Sequence, residues 1–150
     1  MSLRELQEIG VESMDDAAID QFLATHGVGV LAVPDTPAPY LLPMSFSYDG
    51  EAALYFTYVL GEDSEKARLS DRADVARLLV YTADSPFHWQ SVVVTGALEA
   101  VPRERWDDLA LETAWRPAIF EAADRDVVQL AAHNAFQYIG VRYGVRMRPL

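Results

Sequence analysis

Six stretches of the chain predict strands, either by alternation of apolar and polar positions or by an unbroken apolar run. Val28–Val33, VGVLAV, is apolar along its whole length, as a buried strand is. From Tyr40 to Tyr48 the residues Tyr40, Leu42, Met44, Phe46 and Tyr48 share one face, and Leu41, Pro43, Ser45 and Ser47 share the other. Pro43 cannot donate to a ladder, so this strand belongs at an edge or a bulge with open backbone beside it. Asp49-Gly50 predicts a tight turn, since glycine supplies the positive φ that such turns need. Tyr40–Tyr48 is therefore expected to pair antiparallel with Ala52–Val59 as a hairpin. Asp74–Thr82, Trp89–Val101 and Ala135–Met147 complete the set. Gly96, in the middle of the longest of them, predicts a bend or the close approach of another backbone.

A period near 3.6 appears between these strands. Ser13 followed by Asp16 has the spacing of a capping box, and Ile19, Phe22, Leu23 and His26 share one helical face until Gly27. His26 then sits in the last turn, where a histidine complements the helix dipole. Ser64–Ser70 reads as a short helix, and two further helical stretches are expected, one opening at Pro102 and one running from Pro117 to about His133. Residues 1–12 read as an N-terminal arm, and residues 102–133 as a helical insertion before the last strand. Strands joined mostly without strand–helix–strand alternation predict one domain over residues 1–150, an antiparallel barrel with peripheral helices.

Composition narrows the function. Twelve basic residues stand against 23 acidic ones, a net charge of −11, which disfavours nucleic acid and anionic membrane surfaces as partners. Eleven of the basic residues are arginine, and an acidic, lysine-poor surface on a normal hydrophobic core fits a halophilic protein. With no cysteine, disulfides, thiolate metal sites and cysteine nucleophiles are excluded. Three well-separated histidines give no metal-ligand spacing, so no metal is expected. No apolar run approaches the ~20 residues of a membrane helix, and the reading is a cytoplasmic protein.

The single lysine is Lys66, in the first turn of the helix that begins at Ser64. A cation, a hydroxyl and a helix N-terminus together suit an anion, read here as a cofactor phosphate. A surface pair between Lys66 and Glu62 is the competing reading.

The order of features carries a resemblance. An opening helix, VGVLAV, the strand with Pro43-Met44-Ser45-Phe46, then Tyr55-Phe56-Thr57, then Ser64, Lys66, Ala67 and Leu69, then DVARLLVY and SVVVTGALEAV follow one another over residues 14–101. This resembles the pyridoxamine 5′-phosphate oxidase-like FMN-binding split-barrel family, and more closely its short, nitroimidazole-reductase-like branch. The resemblance implies a mostly β fold, a six-stranded antiparallel split β-barrel, usually a homodimer with FMN at the subunit interface. It further implies that Met44, Ser45 and Phe46 line the isoalloxazine, partly through backbone groups, and that Phe56 and Thr57 follow the ring and ribityl chain. Ser64 and Lys66 would hold the phosphate and Ser91 would reach the flavin, with Gln90 a weaker candidate.

Two departures qualify what is carried over. A second phosphate-binding base often precedes the lysine in the family, whereas here the residue is Glu65, and Glu62 and Asp63 lie in the loop before it. Carboxylates near a dianion weaken its binding at low salt. The C-terminal arginine and histidine motif that grips pyridoxamine phosphate is not recognisable in QYIGVRYGVRMRPL, so that substrate is not transferred. The function expected is an FMN-binding oxidoreductase that passes hydride or electrons between NADH or NADPH and a small organic acceptor, with no catalytic side chain named. A non-catalytic module holding flavin, deazaflavin or haem on the same barrel is the alternative. Trp89, Trp106 and Trp115 are expected in the core or a dimer contact, and His88 in a loop before the long strand.

Overall fold

The computed structural model describes residues 3–8, 10–51, 53–59, 65–73, 75–85, 88–105, 125–131 and 137–144. The N-terminal arm is ordered into two elements, helix α1 (Leu3–Glu8) and strand β1 (Val11–Ser13), joined at Gly10 with φ 94°. Because Ser13 is held in a strand, it is not the helix cap expected of it. Helix α2 (Asp16–Thr25) is capped by Asp15, whose Oδ1 accepts from the Ala18 amide at 2.8 Å. At the other end the His26 amide donates to the Phe22 carbonyl at 3.2 Å, and its Nδ1 donates to the same oxygen at 2.6 Å. The imidazole stacks on the Phe22 ring at 4.0 Å, so His26 finishes the helix.

Strand β2 (Val28–Val33) pairs along its whole length with β3 (Tyr40–Ser45), from Val28↔Ser45 to Val33↔Tyr40. The long hairpin expected between Tyr40–Tyr48 and Ala52–Val59 is thus reduced to its tip. Only β4 (Ser47–Tyr48) meets β5 (Ala53–Val59), through Ser47↔Tyr55 and Tyr48↔Leu54. The break is at Phe46, whose amide turns to the Gly27 carbonyl at 2.9 Å while its ring enters the core. The turn falls where expected, with Gly50 at φ 84° and Asp49 Oδ1 accepting from the amides of Glu51 and Ala53 at 2.8 and 3.1 Å.

Helix α3 (Glu65–Arg72) leads into β6 (Ala76–Ser85), which pairs with β2 and with β7 (His88–Ala100). Residues 125–131, expected to be helical, form strand β8 (Arg125–Ala131) instead. It pairs with all of β5 from Ala53↔Ala131 to Val59↔Arg125, and with β7 from Ala97 to Ala100. The β-branched pair Val127 and Val128, offered an unpaired strand on each side, takes the extended form. At the start of the expected insertion, Arg103–Arg105 is a single 3₁₀ turn, and residues 106–124 lie outside the described ones. Strand β9 (Gln137–Gly144) runs beside β7 from Thr95 to His88 and carries β1 on its other edge.

The neighbour order β3-β2-β6-β7-β8-β5-β4 ends on two strands that are one continuous segment bent at Phe46, so the path closes on itself as an antiparallel barrel. Off this path β9 pairs with β7 and carries β1. Gly96 marks the point where β7 leaves β6 and β9 and takes up β8. Leu31, Val33, Leu54, Phe56, Leu78, Val80, Val92 and Val94 point inward and are fully buried, while Ile19, Phe22 and Leu23 of α2 join the same core. Burying a side chain such as Phe56 stabilises about 2–3 kcal/mol. Among the described residues no helix is long and apolar enough to cross a membrane.

Candidate functional site

Strands that bury one face must show the other. On β6 the side chains of Ala76, Leu78 and Val80 fill the barrel, which turns Arg77, Leu79, Tyr81 and Ala83 outward. The same parity turns Val28, Val30 and Ala32 of β2, Leu41, Pro43 and Ser45 of β3, and Trp89, Ser91, Val93 and Thr95 of β7 outward. This outer face is largely apolar. Val28, Leu41 and Tyr81 are 61%, 63% and 57% exposed, with Leu41 beside Ala32 at one end of the face and Val28 and Tyr81 toward the other. None of the outward residues just named is acidic, although the chain carries 23 carboxylates.

A cavity of about 320 Å³ opens on this face where β6 and β7 approach their connecting turn. Leu79, Tyr81, Thr82, Ala83, Trp89, Gln90 and Ser91 line it. Tyr81 lies directly across from Ser91, and Ala83 across from Trp89. The lining holds two aromatic rings, two hydroxyls besides the phenol and one amide, and no charge. Such a wall suits a flat, uncharged ring system with hydrogen-bonding groups at its edge. Just beyond it, His88 Nδ1 meets Asp84 Oδ2 at 3.0 Å; both are exposed and stand at the bulge between Ala83 and Ser85.

The residues singled out in the sequence divide by face. Ser91 is in the cavity wall. Ser45 shares its outer face, on a strand three spacings away, about 14 Å. Met44, Phe46 and Phe56 are 7%, 3% and 0% exposed inside the barrel, so their side chains belong to the core. Their neighbour Pro43 lies, as expected, on a strand at the end of the pairing path. Thr57 is on β5 in register with Val127, and Lys66 is in the first turn of α3. Ser64 lies outside the described residues.

The carboxylate of Glu65, which takes the place of a base beside Lys66, is engaged by Arg68. The guanidinium forks onto it, with Nε donating to Oε2 at 3.2 Å and a second bond from Nη2 to Oε1. That bond and the nearby charge of Glu65 raise the Arg68 pKa further above its usual value. Glu65 is thereby partly neutralised within its own helix, which lessens the repulsion it would offer an anion at Lys66.

A second polar feature lies on β4 and β5. Tyr55 is buried, and burial raises its phenol pKa; the charge of Asp49 adds to the rise and Arg105 opposes it. Across from it the Ser47 hydroxyl is buried with no hydrogen-bond partner among the described residues. No group of histidine, aspartate and glutamate side chains among the described residues could hold a metal ion.

Tyr81 and Leu79 were not anticipated as site residues, although the alternation of Arg77, Leu79 and Tyr81 with Leu78 and Val80 carries the signal. Trp89, expected in the core or a dimer contact, borders the cavity instead of the barrel interior.

The model of a family described as pyridoxamine 5′-phosphate oxidase matches residues 15–139 of the chain. Among curated proteins no sequence matches it. Solved structures do. A FAD-binding protein from Mesorhizobium loti is similar with a TM-score of 0.74 at 21% identity, over 90% of this chain and 98% of that one. A candidate 5-nitroimidazole antibiotic resistance protein from Bacteroides thetaiotaomicron gives 0.66 at 15% identity, over 89% of each chain. A FAD and heme binding protein from Mycobacterium smegmatis gives 0.63 at 16% identity, over 90% of this chain and 73% of that one. Identities this low establish the fold alone, and they agree with the split barrel expected from the sequence. With a family match that reaches from the cap of α2 into β9, the chain belongs to the pyridoxamine 5′-phosphate oxidase family.

Proposed function

We propose that this protein is a homodimeric flavoprotein that binds FMN on the outer face of β6 and β7 and passes hydride or electrons between NADH or NADPH and a small organic acceptor. The uncharged cavity between Tyr81, Trp89 and Ser91 is the observation that carries this reading. Its volume lies at the lower end of the roughly 300–1,000 Å³ of small-molecule clefts. A flavin, when bound, supplies the redox chemistry. The residues of the chain bind and orient: Ser91 and Gln90 offer hydrogen bonds at the ring edge, Tyr81 and Trp89 cover its apolar surface, and Lys66 with Ser64 takes the phosphate. The lining holds no histidine, carboxylate or lysine, so the cavity holds the ring without acting as acid or base.

Charge and exposure support the homodimer. A chain of net charge −11 repels its copies except where acids are missing, and the exposed Val28, Leu41 and Tyr81 lie on such a face. A second copy covers this apolar surface and excludes water from the cavity mouth.

Two relatives are named for FAD and one of them for haem as well, which makes FAD the competing cofactor. The cavity lining contains no histidine, cysteine or methionine that could serve as an axial ligand, and this favours flavin over haem. The test is purification in molar salt followed by absorption spectroscopy, titration with riboflavin, FMN and FAD, and turnover with NADH and NADPH. Yellow protein that binds FMN and oxidises a nicotinamide supports the proposal. Flavin bound without turnover points to a carrier, and colourless protein that binds none of the three sinks the reading.

A further inference from the structure

Among the outward residues named above, one is a cation. Arg77 lies between Ala76 and Leu78, which are 2% and 0% exposed inside the barrel, so its side chain is outward, and it is exposed. Ala32 is its neighbour on β2 and Thr95 its neighbour on β7. Among the described residues no ion pair or hydrogen bond engages its guanidinium, whereas Arg68 is forked onto Glu65. An arginine cannot shed its charge, and once its face is covered it needs an anion.

If two copies meet through this face about a two-fold axis, the outward residues of β2, β3 and β6 that each presents to the other include no carboxylate. On β7 the acid of that parity, Glu99, stands four residues beyond Thr95, about 13 Å along the strand and past the point where β7 leaves β6. A ligand anion then serves as the counter-charge of Arg77. Arg77 and Tyr81 share a face of β6 four residues apart, about 13 Å along the strand. Arginine is long and reaches part of the way back. Helix α3, which carries Lys66, ends at Arg72 shortly before β6 begins at Ala76. Uncharged aromatic wall and free cation therefore lie at opposite ends of one stripe.

We infer that Arg77 is an oxyanion-binding residue, which takes a phosphate or pyrophosphate group of a nucleotide-type ligand whose flat ring occupies the Tyr81–Ser91 cavity. The inference rests on the flavin reading for the ring and adds a binding residue and a direction. The ligand lies along β6 with its anionic tail toward the start of that strand, and Arg77 supplements Lys66 in neutralising it.

The experiment titrates riboflavin, FMN and FAD against the full chain and its Arg77→Ala, Arg77→Lys and Lys66→Ala variants, in molar and in low salt. Melting temperature and oligomeric state serve as controls for folding. Arg77→Ala should weaken a phosphorylated flavin roughly tenfold or more while riboflavin stays within about twofold, since a charged hydrogen bond is lost and the ring contacts are not. Arg77→Lys should recover part of the loss, and the salt dependence should shrink in Arg77→Ala. Equal loss for FMN and FAD assigns Arg77 to the first phosphate; loss for FAD alone assigns it to the second. Either outcome upholds the inference. Equal weakening of riboflavin, or no change in any of the three, overturns it. Inorganic pyrophosphate, read by melting temperature, separates this inference from the flavin reading. Stabilisation of the wild type that is absent in Arg77→Ala keeps the anion site even if no flavin binds. Failure of both pyrophosphate and flavins removes both proposals.

Discussion

Replacing Gly29 by alanine tests whether the β2–β6 contact is as close as the structure places it. A Cβ added at Gly29 would lie 2.7 Å from the Leu79 carbonyl oxygen and 2.9 Å from Leu78 Cδ1. Carbon–oxygen contacts across strands ordinarily sit at about 3.3–3.6 Å, so β6 must retreat by roughly 0.6 Å or more. Leu78 is fully buried and Leu79 is paired to Val30, so neither can swing away. Overpacking of this kind costs about 1–3 kcal/mol, against which the stiffer unfolded chain returns about 0.4–1 kcal/mol. The net loss expected is about 1–2 kcal/mol, or roughly 3–6 °C in Tm for a domain of this size. Two other glycines calibrate the measurement. At Gly27 a Cβ meets nothing within 4 Å, and alanine there should be neutral or slightly stabilising. At Gly50 there is also space, but φ is +84°, so alanine should cost about 1 kcal/mol through the backbone alone. Denaturant unfolding in constant salt gives all three values. Because Leu79 borders the cavity, Gly29→Ala should also weaken any ligand held there. A Gly29→Ala protein as stable as Gly27→Ala would refute the close approach of β2 to β6.

Other expectations follow from single side chains. The raised pKa of Tyr55 means that the folded state keeps its proton where the unfolded state has lost it, so stability is complete below pH 10.0 and falls as pH rises beyond it. Tyr55→Phe should flatten that alkaline loss, measured by denaturant midpoints between pH 8 and 11. Leu41→Glu places a charge on the exposed apolar face and should shift the protein from dimer to monomer in light scattering, with the barrel intact by circular dichroism. Asp15→Ala removes the acceptor of the Ala18 amide and should cost about 1 kcal/mol, recovered in large part by Asp15→Asn.

What the amino-acid order determined by itself was the alternation of the strands and the face each would bury. In Tyr40–Tyr48 the inward set Met44 and Phe46 and the outward set Leu41, Pro43 and Ser45 were readable because a strand has a period of two wherever it pairs. Asp49-Gly50 specified its turn locally, and the succession of short motifs from VGVLAV to SVVVTGALEAV was enough to indicate the family. Pairing partners were another matter. Nothing in Tyr40–Ser45 says that it lies beside β2 instead of β5, since the bend at Phe46 gains its hydrogen bond from Gly27, far away in the chain. The sequence places Val127 and Val128 in the helical stretch from Pro117 to about His133; pairing with β5 and β7 decides otherwise. The cavity was equally out of reach, because Tyr81, Trp89 and Ser91 meet only through the register of β6 on β7. Sequence dictates which face of a strand is buried, and the tertiary structure alone decides which strands stand side by side and therefore which outward residues form a site.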